Sequence, residues 1–246
     1  MTVHTTKGIV LRTVKYGETS VVTTIYTELF GLQSYLVNGV RTSSGKSGGK
    51  GMFFQPGAIL DLEAYHNELK NLQRIKEFRW GHIYQHVFSD VIKNAVALFM
   101  VELLSKTIKQ PEQNADLFYF AEDALIHLDE SSGAVVANFP LFFALHLASL
   151  FGFRLTDEYE DATSYLDLQE GAFVPEQPIH PYFLGGQLSF ITSQLLKTML
   201  PAELSAIQLN KETRRQLMNA YHQFYALHFQ DFGTMRSLPI LQEVLS

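Results

Sequence analysis

The glycine-rich segment 39–51 holds the residues that most directly suggest chemistry. It reads Gly-Val-Arg-Thr-Ser-Ser-Gly-Lys-Ser-Gly-Gly-Lys-Gly, which partly matches a phosphate-binding P-loop. That motif needs four residues between its first glycine and Gly-Lys-Ser/Thr, and it must open a helix whose amides hold the phosphates. Here five residues separate Gly39 from Gly45, and the segment leads through Pro56 into a strand pattern. A nucleotide hydrolase is therefore the weaker interpretation.

The same segment fits a flexible cationic loop between two strands. Arg41, Lys46 and Lys50 are separated by glycine, serine and threonine, and no acidic residue lies among them. Glycine lets the backbone approach a ligand, and each cation can neutralise one phosphate. A solvated loop whose charges only aid solubility fits equally well, so both interpretations stay open.

Other residues in the first third of the chain would extend such a patch. Aromatic candidates for stacking on unpaired bases are Tyr16, Tyr35 and Phe53, although each also fits the core or rim of a barrel. Arg12 and Lys15 end the first predicted strand. The predicted cationic track, which could hold the phosphates of a nucleic acid, comprises Arg12, Lys15, Arg41, Lys46 and Lys50.

The remaining reactive side chains form no recognisable catalytic or metal site. His82 and His86 are four residues apart but lack the intervening acid of a metalloprotease motif, and His222 and His228 would not share a helical face. No serine lies in a nucleophile-elbow setting. The acidic run at 158–161 is typical of a solvated loop. The sequence predicts neither an enzyme nor a cofactor.

The composition and charge of the whole chain limit which sites and which domain organisation are possible. Hydrophobic residues make up 46% of the 246, and there is no cysteine, which excludes disulfides and thiolate metal sites. The N-terminus shows no secretory signal, and the run Ala95 to Val101 is too short to cross a bilayer. Residues 1–80 carry a balance of +4 and residues 81–246 one of −10. This split predicts two domains, with any polyanion-binding face on the first.

Strand patterns fill the first 80 residues and helix patterns most of the rest. Five short strands without intervening helices predict a small closed barrel; they are 9–13, 21–27, 32–37, 58–65 and 72–78. Helical periodicity then predicts five helices around an irregular stretch at 154–187; they are 89–109, 116–128, 138–151, 188–199 and 211–231.

Several runs resemble the RecO family of bacterial recombination mediators. The most specific runs lie near the N-terminus and are Lys7 to Thr13, Tyr16 to Ser20, Ile25 to Thr27, Gly31 and Gly39-Val40-Arg41. Gln55-Pro56 and the alternating strand after it also fit the family pattern. Weaker similarity continues at 102–104, 117–118, 142–152, 221–222 and 236–238. The likeness covers nearly the whole chain.

The resemblance implies an α+β protein with an N-terminal OB-fold barrel, residues 1–80, followed by an all-α domain, residues 81–246. It implies binding of single- and double-stranded DNA, strand annealing, and work with RecR to place the recombinase RecA on strands coated by single-strand-binding protein. A bacterial cytoplasmic location, at the nucleoid when DNA is bound, follows. A scaffold whose barrel binds peptides is the alternative, since a fold does not fix function.

Two further expectations concern the second domain. Many family members carry a four-cysteine zinc site there, but this chain has no cysteine, so we expect no zinc and a hairpin or packed loop at 167–173. The resemblance also implies contact with the acidic tail of single-strand-binding protein, which needs an apolar pocket with a cationic rim. The rim candidates are Lys197, Lys211, Arg214 and Arg215.

Overall fold

The computed structural model describes residues 2–40, 49–153, 155–160 and 164–245. The chain divides into two compact units, one formed by residues 1–85 with 104–126 and the other by 86–103 with 127–246. The middle of the chain therefore alternates between the units. The first domain predicted from the sequence, residues 1–80, did not include residues 104–126, the second segment of unit 1.

Unit 1 contains a closed five-stranded barrel. Its strands are β1 (Thr2–Tyr16), β2 (Ser20–Thr27), β3 (Gly31–Val37), β4 (Ile59–His66) and β5 (Gln73–Trp80), and a short 3-10 helix (Lys50–Phe54) lies between β3 and β4. The strand order around the barrel is β1-β2-β3-β5-β4, with a parallel β3–β5 pair. This order is that of an OB-fold, so the expected fold class is confirmed.

The second segment of unit 1 packs on the barrel through specific bonds. Lys7 Nζ lies 2.8 Å from a Glu122 carboxylate oxygen, and the Tyr26 hydroxyl donates to the Asn114 carbonyl at 3.0 Å. The Tyr119 hydroxyl donates to the Glu28 carboxylate. The Glu122 side chain is only 7% exposed, and its bond to Lys7 raises the pKa of the lysine. These contacts hold 104–126 against β1 and β2.

Helices build most of the rest of the chain. They are α1 (Val91–Thr107), α2 (Ala115–Glu130), α3 (Gly133–Leu150), α4 (Gly186–Lys197), α5 (Lys211–His228) and α6 (Ser237–Val244), with a 3-10 helix at Pro201–Ala206. The expected all-α second domain also contains a small sheet of β6 (Tyr165–Asp167), β7 (Ala172–Val174) and β8 (Phe183–Leu184) in the order β7-β6-β8. The hairpin predicted at 167–173 is confirmed as the β6–β7 pair.

The apolar helix α3 forms the centre of unit 2. Its carbonyl at Ala144 accepts a 2.7 Å bond from the buried Tyr225 hydroxyl, and the Asn138 amide donates to the Ile207 carbonyl at 2.8 Å. By length and composition α3 is the one helix among the described residues that would fit a membrane span, yet most of it is buried within the unit. The predicted start at 138–140 was wrong: the helix begins at Gly133 and Pro140 lies inside it, because burial of α3 outweighs one missing backbone bond.

Candidate nucleic-acid interface

The outer face of β1, β2 and β3 carries two rows of side chains defined by strand register. Arg12 lies opposite Thr24, which lies opposite Ser34; the next row runs from Val14 through Val22 to Leu36. Facing residues in a sheet project on the same side. Val14 is 40% exposed, and Val22 and Leu36 are half-buried. The face therefore combines a shallow apolar strip with an adjacent arginine.

Arg74 extends the apolar row, because Leu36 pairs with Arg74 across the parallel β3–β5 contact. This arginine was not among the residues predicted to bind DNA. The signal lay in the alternation of β5, where Gln73 points inward and is 4% exposed while Arg74 is exposed. Once the pairing of β5 with β3 is known, an outward cation at position 74 follows.

Lys15 and Tyr16 lie at the end of the barrel where the β1–β2 turn meets the end of β3. Lys15 pairs with Val21 and Tyr16 with Ser20, and the Ser20 hydroxyl donates to the Asn38 side chain at 3.0 Å. Tyr16 is 57% exposed, so its ring is available for stacking. Lys50 begins the 3-10 helix, next to Gly51, where an added Cβ would lie 3.9 Å from the Val40 carbonyl. Arg41 and Lys46 lie outside the described residues.

The other two stacking candidates have different surroundings. Tyr35 is wrong as a stacking residue: it is 0% exposed, because the alternation of β3 points it into the barrel, and burial raises the pKa of its hydroxyl. Phe53 is half-buried and stacks on Trp80, with ring centroids 4.4 Å apart and planes 20° apart. A base could reach this pair only at its exposed edge.

Ion pairing differs between the two sides of the barrel. On β4 and β5, Lys76 pairs with Glu63 at 2.8 Å and Arg79 pairs with Asp61 at 3.0 Å. Across the described ranges, no carboxylate pairs with Arg12, Lys15, Lys50 or Arg74. A polyanion would therefore meet unneutralised positive charge on the β1–β3 side, where it need not displace an existing partner.

Comparison with known proteins agrees with this architecture. The model for the N-terminal domain of recombination protein O matches residues 1–84, and that for its C-terminal domain matches residues 89–237. The chain is similar to proteins named DNA repair protein RecO. It is 30% identical to the one from Phocaeicola vulgatus, 31% to that from Flavobacterium johnsoniae and 32% to that from Flavobacterium psychrophilum, and each alignment covers 98% of both chains.

The chain belongs to the RecO family. This is a family of DNA repair and recombination proteins, and the resemblance read from the N-terminal motifs is confirmed.

The stretch 154–187, where the resemblance would place a four-cysteine zinc site, contains no cysteine in this chain. Within the part of the chain that the structure describes, no three His, Cys, Asp or Glu residues cluster as metal ligands. Instead the Asp167 carboxylate lies 3.1 Å from His180 Nε2 and accepts the Gln169 amide at 2.8 Å. His228 Nε2 bonds the Leu168 carbonyl at 2.9 Å. None of these groups is a cysteine thiolate, so they do not match a four-cysteine zinc site. Hydrogen bonds link the residues of this segment instead.

The four residues predicted to form the cationic rim of a tail-binding pocket differ in exposure and in bonding. Arg214 is half-buried and donates to the Asn138 side chain and the Leu209 carbonyl at 3.2 and 3.1 Å, and burial lowers its pKa. Lys197 pairs with Asp157 at 3.2 Å. Lys211 and Arg215 are exposed on the first turns of α5. Arg214 and Lys197 therefore contribute to the fold, and a tail-binding rim stays a prediction.

Proposed function

We propose that this RecO-family chain binds DNA through the β1–β3 side of its barrel and the adjoining loop, without selecting sequence. The observation that supports the proposal is the contrast in pairing: Lys76 and Arg79 of β5 have carboxylate partners on β4, whereas Arg12, Lys15 and Lys50 have none among the described residues. Unneutralised cations bind phosphates by releasing counterions, and such contacts fix position without reading bases.

The mechanism requires positioning and no covalent step. Phosphates lie along the cations, while the apolar row that begins at Val14 and the exposed ring of Tyr16 accept bases by stacking and apolar contact. Neutralised phosphates repel a second strand less, so a complementary strand can approach and pair. The chain would thus bind single- and double-stranded DNA and anneal complementary single strands, as a mediator and not as an enzyme.

The double change Arg12→Ala and Lys15→Ala tests the assignment. Loss of two phosphate contacts should lower the slope of log affinity against log salt by about 1.4 and weaken single-strand binding about 25-fold at 0.1 M salt. Fluorescence anisotropy of a labelled oligonucleotide over a salt series measures both. Lys76→Ala with Arg79→Ala removes the same charge from paired cations and should change affinity little.

Equal losses in the two double variants would reduce the effect to net charge and contradict the assigned face. An unchanged slope in the Arg12 and Lys15 variant would remove that face from the function. Annealing of complementary labelled strands, followed in the same variants, should slow in parallel with the loss of binding. The triple change Arg41→Ala, Lys46→Ala and Lys50→Ala tests the loop in the same assay.

Protein partners are proposed from the family resemblance. RecR and the acidic C-terminal tail of single-strand-binding protein are the proposed partners, RecA loading is the proposed outcome, and the cytoplasm is the proposed location. Co-elution with RecR tests the first partner. For the tail, Lys211→Glu with Arg215→Glu changes exposed cations that form no ion pair among the described residues.

A labelled acidic tail peptide should bind this charge-reversed variant at least tenfold more weakly, because two attractions become repulsions. Glu212→Lys, on the same helix, is the control and should not weaken binding. Equal affinity of wild type and the charge-reversed variant would reject α5 as the rim.

A further inference from the structure

Helices α1 and α6 of unit 2 lie side by side and run in opposite directions. The Glu102 carboxylate, toward the end of α1, accepts two backbone amides at the start of α6. Near the other end, Val244 of α6 lines a hollow of about 240 Å3 together with Val91 and Ala95 of α1. The two helices therefore form a groove between them, and all of these residues belong to unit 2.

The walls of this groove are apolar and open to solvent. Val91 and Leu98, on one face of α1, are 71% and 37% exposed, and Ile240 on α6 is 56% exposed. Val244 follows Ile240 by one helical turn and is half-buried. Ala95 also lines the hollow and is buried, and its small side chain leaves room for a larger one between the walls. Grouped apolar exposure of this kind marks a surface for protein contact.

A second hollow, of about 480 Å3, continues the groove on the other side of Val244. Asp90 and Val244 line both hollows, so the two are adjacent. The apolar lining of the second hollow comes from Ile92, Val136, Ala137, Val244 and Leu245. Adjacent hollows suit successive anchor side chains on one face of a helix, which lie about 5–6 Å apart.

The exposed charges at this end of the groove are acidic. Asp90 lines both hollows, Glu243 precedes Val244 on α6, and both acids are exposed. Neither carboxylate forms an ion pair within the described ranges. Lys93 also lines the second hollow, but it is buried and its ammonium group donates to the Asp129 carbonyl. The rim of the groove therefore presents negative charge to a partner.

This charge decides between the occupants that an apolar groove could take. A second copy of the chain would bring the same two acids to the contact, and like charges across an interface oppose association. An acidic peptide would be repelled for the same reason. A cationic partner gains from both the apolar walls and the rim, and a groove between two helices accepts the apolar face of a third helix.

We propose that the groove between α1 and α6 is a docking site for an amphipathic helix of a partner protein, with lysine or arginine beside its apolar face. The apolar side chains of that helix fill the two hollows, and its cations lie against Asp90 and Glu243. The exposed Arg236 precedes α6 at the Glu102 end of the groove. Because Arg236 repels cations there, the cationic part of the partner lies at the Asp90 end.

Two labelled peptides test the site on the full chain by fluorescence anisotropy. Each has about 16 residues, with leucine at helical spacing on one face. The positions that flank the leucines are lysine in the first peptide and glutamate in the second. The lysine peptide should bind about tenfold more tightly than the glutamate peptide, because only its charges complement the rim. A lysine peptide of the same composition, with the leucines out of helical register, should also bind about tenfold more weakly.

Variants of the groove locate the binding. Ile240→Lys should weaken the lysine peptide about tenfold or more, since it removes an apolar wall and adds a like charge. Val91→Gln removes the opposite wall without adding charge and should weaken binding about three- to tenfold, which keeps the test valid if Ile240→Lys does not fold. Asp90→Asn with Glu243→Gln keeps an acceptor at the start of α1 and should weaken binding about three- to tenfold. Ile179→Lys adds the same charge at an exposed position elsewhere in unit 2 and is the matched control.

Several results would overturn the proposal. The lysine peptide could fail to bind the wild-type chain at about 0.15 M salt, or Ile240→Lys and Ile179→Lys could lose binding equally. Tighter binding of the glutamate peptide would assign the groove to an acidic partner. A dimer in sedimentation that Ile240→Lys dissociates would assign it to a second copy of the chain. Hydrogen exchange should show that the bound lysine peptide protects residues 91–98 and 237–244, and protection confined to other segments would reject the site.

Discussion

Replacement of Gly31 by alanine is expected to destabilise unit 1 by about 3 kcal/mol, which corresponds to a fall of about 6–12 °C in the unfolding midpoint. Gly31 has φ 60°, where an L side chain costs about 1–2 kcal/mol. An added Cβ would also lie 2.2 Å from the Glu112 carbonyl oxygen. Because that neighbour is backbone, the segment after α1 must move away from the barrel.

Urea unfolding followed by tryptophan fluorescence measures this loss. Trp80 is the single tryptophan and lies on β5, so its signal reports on unit 1. Gly17→Ala is the matched control, since Gly17 has the same φ but nothing within 4 Å of the added Cβ. It should cost only the conformational part, about 1–2 kcal/mol. Equal losses in the two variants would show that contact with Glu112 is unimportant.

Replacement of Glu102 by alanine is expected to destabilise unit 2 by about 3 kcal/mol. The Glu102 carboxylate accepts the backbone amides of Arg236 and Ser237 at 2.8 and 2.7 Å and the Ser237 hydroxyl at 2.5 Å. It therefore caps the start of α6, where amides lack helical partners and negative charge is favoured. Without it, the first amides of α6 lose their acceptor on α1.

Hydrogen exchange measured by mass spectrometry localises this effect. Protection of residues 237–244 should fall most, and protection within α3 should fall less. Glu102→Gln keeps one acceptor oxygen and should lose roughly half as much stability as the alanine variant. Unchanged protection of α6 in Glu102→Ala would contradict the capping role.

Much of the fold could be predicted from local sequence pattern. All five barrel strands were located because β-branched and alternating residues carry that signal over short distances. Short elements were missed. The 3-10 helices at Lys50–Phe54 and Pro201–Ala206 and helix α6 carry little periodic signal, and the capping group of α6 lies on Glu102, 134 residues before Arg236. The start of α3 was placed at 138–140 because proline usually opens a helix.

The candidate interface was less accessible to sequence reasoning, because its character depends on pairing between distant residues. Arg79 and Arg74 look alike in sequence, yet Asp61 pairs with Arg79 at 3.0 Å, while Arg74 lies between Tyr65 of β4 and Leu36 of β3. Lys109 is far from the barrel in sequence, yet it lines one surface cleft of unit 1 together with Lys70. Only strand order and register reveal which cations are unpaired and which share a surface.

The alternation of the chain between its two units constrains how the protein can be made. On the ribosome, residues 1–80 emerge first with every strand of the barrel present, while Asn114, Tyr119 and Glu122, which bond to its outer residues, have not yet left the exit tunnel. Buried groups such as Tyr26 would face water until residue 126 has left the exit tunnel. The first segment of unit 2, residues 86–103, thus emerges before unit 1 is complete, and a fragment cut at residue 80 would be an unfinished domain.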